Sequence, residues 1–232
     1  MNLKANIAQT KQRINQALKA SDRREEGQAN VTLVAVTKSV DVDTIKAAIA
    51  EGIEIIGESR IQSAKIKYQE IENSVRWHLI GHLQQNKIRD AVRMFELIHS
   101  VDSLYLAKAI NEEACQQNKI QDVLIQVNTS GEKTKYGLSL AEATLLFGRV
   151  NEFSHLNVKG LMTIGPLADE QVQMAGALSP RSCFQKLFQL YQDLKASGFP
   201  LQYLSMGMSD DFELAISEGA NMVRIGQAIF GG

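Results

Sequence analysis

From Thr32 onward the chain repeats one pattern eight times. A short apolar run, often β-branched, is followed by an amphipathic stretch of helical period. The apolar runs are Thr32–Thr37, Glu54–Ile56, His78–Ile80, Leu97–His99, Asp122–Val127, Val158–Thr163, Tyr203–Ser205 and Met222–Ile225. Between them lie helical patterns at Val42–Glu51, Ile61–Ile71, Asn86–Phe95, Leu104–Asn118, Leu140–Asn151, Arg181–Ser197 and Asp211–Glu218. Strands that alternate with helices pair in parallel. Eight such units predict a closed α/β structure, a single (β/α)8 TIM barrel. An open doubly wound sheet is the runner-up. No strand is followed by Gly-x-Gly-x-x-Gly, which argues against dinucleotide binding. Leu3, Ile7, Ile14 and Leu18 fit one face of an extra N-terminal helix docked on the core. The stretches 22–30 and 166–180 read as loops, the second long enough to serve as a lid. Nothing separates two domains, so residues 1–232 are expected to form one.

Composition narrows the partners. A net charge of −1 over 232 residues argues against a nucleic acid held through its phosphates. No segment has the length and apolarity of a membrane span or a secretory signal. The four histidines and two cysteines (Cys115 and Cys183) lack metal-ligand or redox spacing. No metal is expected, and a reducing cytoplasm fits this cysteine usage.

In such a barrel the chemistry sits at the C-terminal ends of the strands. Lys38 follows strand one, where an apolar wall would favour the neutral, nucleophilic amine that a Schiff base needs. Loops after strands seven and eight commonly bind phosphate. Ser209 offers a hydroxyl there, Gly226 lets backbone approach, and Gln227 opens a short helix whose N–H groups face an anion. The competing reading makes Ser209 or Asp210 an N-cap of the following helix. Alternation on strand eight aims Arg224 into the barrel, to pair with an acid or to meet a ligand. An amine, an anion cradle and an interior arginine together describe a site for pyridoxal 5′-phosphate (PLP). A barrel that binds another phosphorylated metabolite, with Lys38 structural, is a further alternative.

Six segments in order then resemble a known family: Val34-Ala35-Val36-Thr37-Lys38, Gly57-Glu58-Ser59-Arg60-Ile61-Gln62, Trp77 through Lys87, Gly160-Leu161-Met162-Thr163, Leu204 through Asp211, and Met222-Val223-Arg224-Ile225-Gly226. They are similar to the pyridoxal-phosphate homeostasis proteins, the YggS or proline-synthase co-transcribed family, related to the N-terminal barrel of alanine racemase. The resemblance implies the PLP fold type III. It implies Lys38 as the Schiff-base lysine, Ser209, Gly226 and Gln227 around the phosphate, and Arg224 at the pyridine nitrogen. Lys135, in the loop 132–137, matches a lysine of that family at the mouth. Ser59 stands where the family usually has asparagine near the ring, and Ser63 where it usually has glutamate.

An arginine at the pyridine nitrogen keeps that nitrogen unprotonated and weakens the ring as an electron sink. Racemisation further needs an acid/base group on each face of the substrate. In alanine racemase a neighbouring subunit brings the second group through an extra β domain. Seven residues follow Ile225 here, too few for such a domain. The expected protein is therefore a cofactor carrier or regulator in PLP homeostasis, without catalytic residues or robust turnover. It is expected to act as a monomer and to exchange PLP with PLP-dependent apo-enzymes. The alternative is a small PLP-dependent racemase.

Overall fold

The structure is a computed structural model and describes residues 2–22, 30–132, 134–166 and 178–231. Eight parallel strands close into a barrel in chain order. They are β1 (Thr32–Val36), β2 (Ile55–Glu58), β3 (Arg76–Leu79), β4 (Leu97–Val101), β5 (Gln121–Gln126), β6 (Leu156–Met162), β7 (Tyr203–Ser205) and β8 (Met222–Ile225). The surrounding helices are α1 (Leu3–Ala20), α2 (Val42–Ala50), α3 (Ile61–Ile71), α4 (Ile88–Met94), α5 (Leu104–Gln116), α6 (Leu140–Phe147), α7 (Pro180–Ala196), α8 (Phe212–Ser217) and α9 (Gln227–Phe230). The helix expected at 86–95 divides into a 3₁₀ turn, Gln85–Lys87, and α4. The one expected at 140–151 stops at Phe147, ahead of Gly148, and a second 3₁₀ turn follows. Most of the two loops read at 22–30 and 166–180, including the suggested lid, lies outside the described residues.

Closure is the step that builds a site. β1 pairs with β2 on one side and with β8 on the other, in the register Val34↔Arg224 and Ala35↔Ile225. The first and last strands of the sequence thus end side by side. Side chains on a strand alternate between barrel interior and helix layer. Val34, Ile55, Leu97, Leu124, Met162 and Met222 pack together inside the barrel. The alternate residues, such as Ile56, Leu79, Ile98 and Val223, join the larger core beneath the helices. Each buried aliphatic side chain contributes about 1.5–3 kcal/mol.

β8 leads into the four-residue α9. The N-terminal helix supplies the missing cover. Its buried stripe is Ile7, Thr10, Ile14 and Leu18. Asn6 Nδ2 donates to the carbonyl of Ile229 at 3.1 Å, and Arg13 Nε donates to Glu213 at 2.7 Å. Arg13 also lies over the ring of Phe212. The helix Leu3–Ala20 therefore packs against α8 and α9 as an eighth outer helix. Among the described residues, no helix is long and apolar enough to cross a membrane.

Candidate functional site at the barrel mouth

The six residues singled out from the sequence sit at the C-terminal ends of four adjacent strands, β7, β8, β1 and β2. Lys38 lies in the turn after β1 and is exposed. It stands two residues beyond the strand, whose last residue is Val36, so the apolar wall expected around it is not there. Among the described residues it makes no ion pair or hydrogen bond, which leaves the amine available.

The lysine that is enclosed is Lys67, on α3. Its Nζ donates to the carbonyl of Thr37 at 2.6 Å and to Glu58 Oε1 at 2.7 Å. Thr37 Oγ1 donates to the same Glu58 oxygen at 2.7 Å, and the Thr37 N–H donates to Gly57 O at 3.0 Å. Every polar group of Thr37 is thus fixed immediately before Lys38. Glu58 is fully buried, and its Oε2 has no hydrogen-bond partner among the described residues. The sequence reading missed this pair. A signal existed: the buried stripe of α3 runs Ile61, Ala64, Lys67, Ile71, which puts a lysine on the apolar face.

The loop after β7 turns at Gly207, whose φ is +96°; a Cβ there would stand 2.6 Å from Ala215 Cβ, so only glycine fits. Asp211 Oδ1 accepts the Met208 N–H at 2.6 Å and pins the loop. Ser209 does not cap α8, and neither does Asp210. The N-cap residue is Asp211, which makes no side-chain cap bond. Ser209 Oγ instead accepts the Ala228 N–H at 3.3 Å, tying the β7 loop to the start of α9. The hydroxyl proton of Ser209 remains free to donate. Gly226 is the N-cap of α9 and Gln227 its first residue, whose N–H has no acceptor within the helix. A Cβ on Gly226 would meet Val36 Cβ and O at 3.2 Å. The glycine thus also lets β8 end close against β1.

Arg224 is buried inside the barrel, as the alternation predicts. Nη1 donates to Ser205 Oγ at 2.7 Å and Nη2 to Thr163 O at 2.8 Å. Both acceptors are neutral, and no carboxylate lies within ion-pair distance among the described residues. Burial lowers its pKa to about 10, opposed by the charge of Asp211, so it stays charged at neutral pH. A guanidinium has five N–H donors, and two are spent here. The other three have no partner among the described residues.

Ser59 is half-buried just beyond β2, and its hydroxyl has no partner among the described residues. Gly81 brings the β3 loop against it, because a Cβ there would fall 2.2 Å from Ser59 O. Lys135 Nζ donates to Glu132 at 2.6 Å and reaches Gly165 O at 3.5 Å. Tyr136 stacks on His82 with ring centroids 3.9 Å apart, and His82 Nδ1 lies 3.2 Å from Asp102. A cavity of about 400 Å³ opens at the other end of the barrel, lined by Lys11, Asn15, Gly52, Glu54 and Arg76 among others, and includes none of the six. Among the described residues no three histidine, cysteine or acidic side chains cluster as metal ligands.

Known proteins resemble this chain over nearly its whole length. The family model for the alanine racemase N-terminal domain matches residues 2–232. Pyridoxal phosphate homeostasis proteins of Aquifex aeolicus and Pseudomonas aeruginosa are each 38% identical to the chain; the alignments cover 92% of both chains for the first, and 97% of this chain and 94% of its relative for the second. That of Escherichia coli is 34% identical over 97% of this chain and 94% of its own. Among solved structures, PipY of Synechococcus elongatus with PLP bound is 31% identical with a TM-score of 0.77, covering 94% of this chain and all of PipY. An alanine racemase of Clostridium difficile shares the fold at 18% identity and a TM-score of 0.73; this chain spans 56% of its length.

Proposed function

Because the chain belongs to the pyridoxal phosphate homeostasis proteins, within the alanine racemase N-terminal domain family, we propose that it binds PLP at the barrel mouth and serves PLP homeostasis. The observation that carries this reading is the closure of the barrel. It sets the β1 turn that carries a free amine next to the end of β8, whose Arg224 has unspent donors and no paired acid. When bound, PLP supplies an aldehyde that condenses with amines, a phosphate dianion and a ring nitrogen that accepts a hydrogen bond.

The residues present fit that group. Lys38 offers the amine, on a turn held rigid by Thr37, Glu58 and Lys67. Ser209 donates a hydroxyl to the phosphate, and the backbone at Gly226 and Gln227 offers N–H groups. Arg224 donates to the ring nitrogen and keeps it unprotonated. Ser59 donates a shorter side chain toward the phenolic edge than an asparagine would.

The chain acts as a carrier rather than a catalyst on this reading. A ring nitrogen facing arginine is a weak electron sink, and Tyr136 is stacked on His82. It is a cytoplasmic monomer of one domain that passes PLP to apo-enzymes. Racemase or transaminase turnover of roughly 1 per second or faster with common amino acids would contradict the carrier role. The site itself is tested by titrating wild type and Ser209→Ala with PLP and with pyridoxal. We expect the substitution to weaken PLP several-fold and to leave pyridoxal nearly unchanged. Equal losses would place Ser209 outside the phosphate site.

A further inference from the structure

Four buried side chains form a hydrogen-bonded line across the barrel interior: His78 on β3, His99 on β4, Ser205 on β7 and Arg224 on β8. His99 Nε2 lies 3.1 Å from His78 Nδ1, and His99 Nδ1 lies 3.3 Å from Ser205 Oγ. Arg224 Nη1 lies 2.7 Å from the same Ser205 oxygen.

The direction of the line follows from its charged end. A guanidinium only donates, so Ser205 Oγ accepts from Arg224. The hydroxyl has one proton, and its only neighbours in hydrogen-bond range among the described residues are Arg224 and His99 Nδ1. If His99 Nδ1 carried a proton, the Ser205 proton would be buried with no acceptor, which costs about 1–3 kcal/mol. That tautomer would also aim a positive N–H toward the guanidinium. With His99 Nδ1 as acceptor, the Ser205 proton and the His99 Nε2 proton each find a lone pair. His99 Nε2–H then donates to His78 Nδ1, and the proton of His78 sits on its Nε2. Burial favours the neutral form of both rings, and the charge of Arg224 adds to this at His99.

We propose that Ser205 and His99 are positioning residues for Arg224, fixing the guanidinium through a one-way chain in which both histidines are neutral Nε2–H tautomers. Ser205 can turn only its lone pair to Arg224, because His99 holds its proton. With Nη2 held by Thr163 O, the guanidinium is held at two points and its remaining donors have one orientation. The consequence for PLP rests on the function proposed above; the tautomers do not.

The test uses the full chain, labelled with ¹⁵N-histidine. Long-range ¹H–¹⁵N spectra without cofactor, assigned with His78 and His99 variants, should show both rings as neutral Nε2–H forms at pH 7. A protonated Nδ1 on His99 would overturn the proposal. Titration with PLP then reads the positioning. His99→Leu and Ser205→Ala should each weaken binding about tenfold and shift the cofactor absorbance. His99→Asn keeps an acceptor near Nδ1 and should stay within about twofold of wild type. If His99→Leu folds poorly, Ser205→Ala and His99→Asn still decide. Wild-type affinity in Ser205→Ala, or equal losses in His99→Asn and Ser205→Ala, would overturn the positioning role. Failure of the wild type to bind PLP would instead overturn the functional reading, leaving the tautomers to the spectra.

Discussion

Lys38 and Lys67 show how residue type and residue place diverge. Both are lysines beside apolar sequence. Lys38 is exposed and free, whereas Lys67 is buried and pinned by Glu58 and the Thr37 carbonyl. Lys38 was legible because it follows an apolar run within a family motif. The role of Lys67 was not, because a lysine on an amphipathic helix reads as a solvated position. Ser59 is the other position where a single side chain decides something. Its hydroxyl is unspent, and an asparagine there would reach about one bond further. A net hydrogen bond is worth about 0.5–1.5 kcal/mol. Ser59→Asn should therefore tighten PLP binding by tenfold at most and shift its absorbance without creating turnover. Unchanged or weaker binding on titration would mean that Ser59 already makes the contact or lies off the ring. Gly226 is less suited to such a test, since a larger side chain would strike Val36 and disturb the exit of β1 as well.

The elements carry these residues with different precision. β7 and β8 were read from the sequence to the residue, because short apolar runs between glycine-bearing turns mark them clearly. The β1 boundary was read one residue too long, at Thr37. Thr37 continues the β-branched pattern and its N–H still bonds Gly57 of β2, but its hydroxyl goes to Glu58 and its carbonyl accepts from Lys67 and Val40. That junction of β1, β2 and α3 is testable as a unit. Removing one partner of a buried pair leaves the other charge uncompensated, at about 3–5 kcal/mol. Lys67→Met should lower unfolding stability by about 3 kcal/mol in denaturant titration. Pairing it with Glu58→Leu should recover most of the loss. A neutral effect of Lys67→Met alone would show that the pair does not hold the turn. The line from His78 to Arg224 was equally invisible in the sequence. Its members lie on four strands, and although alternation marks Arg224, nothing in the sequence brings His78, His99 and Ser205 into line with it.

At the scale of the whole molecule, the barrel interior has an apolar layer about Leu97, Leu124 and Met222 and, two residues further along the same strands, a polar layer with His99, Gln126 and Arg224. The polar layer makes the fold acid-sensitive. Burial, reinforced by Arg76, lowers the pKa of His78 from 6.5 to about 3, and burial lowers that of His99 well below 6.5. Between those values the unfolded chain binds more protons than the folded one, so stability falls as pH drops below about 6.5. Each histidine contributes a slope of about 1.4 kcal/mol per pH unit until its folded-state pKa is reached. Denaturation midpoints from pH 7 to pH 4 should show this slope, and it should flatten in His99→Asn; a flat wild-type profile would contradict neutral buried rings. Closure of the same barrel brings the β1 turn to the ends of β7 and β8, and the account rests on that juxtaposition. Its most direct test is to load the protein with PLP, reduce it with borohydride and map the modified peptide by mass spectrometry. The account predicts a single reduced cofactor on Lys38, absent from Lys38→Ala although that variant folds. Modification centred on Lys135 or another lysine in the wild type would contradict it.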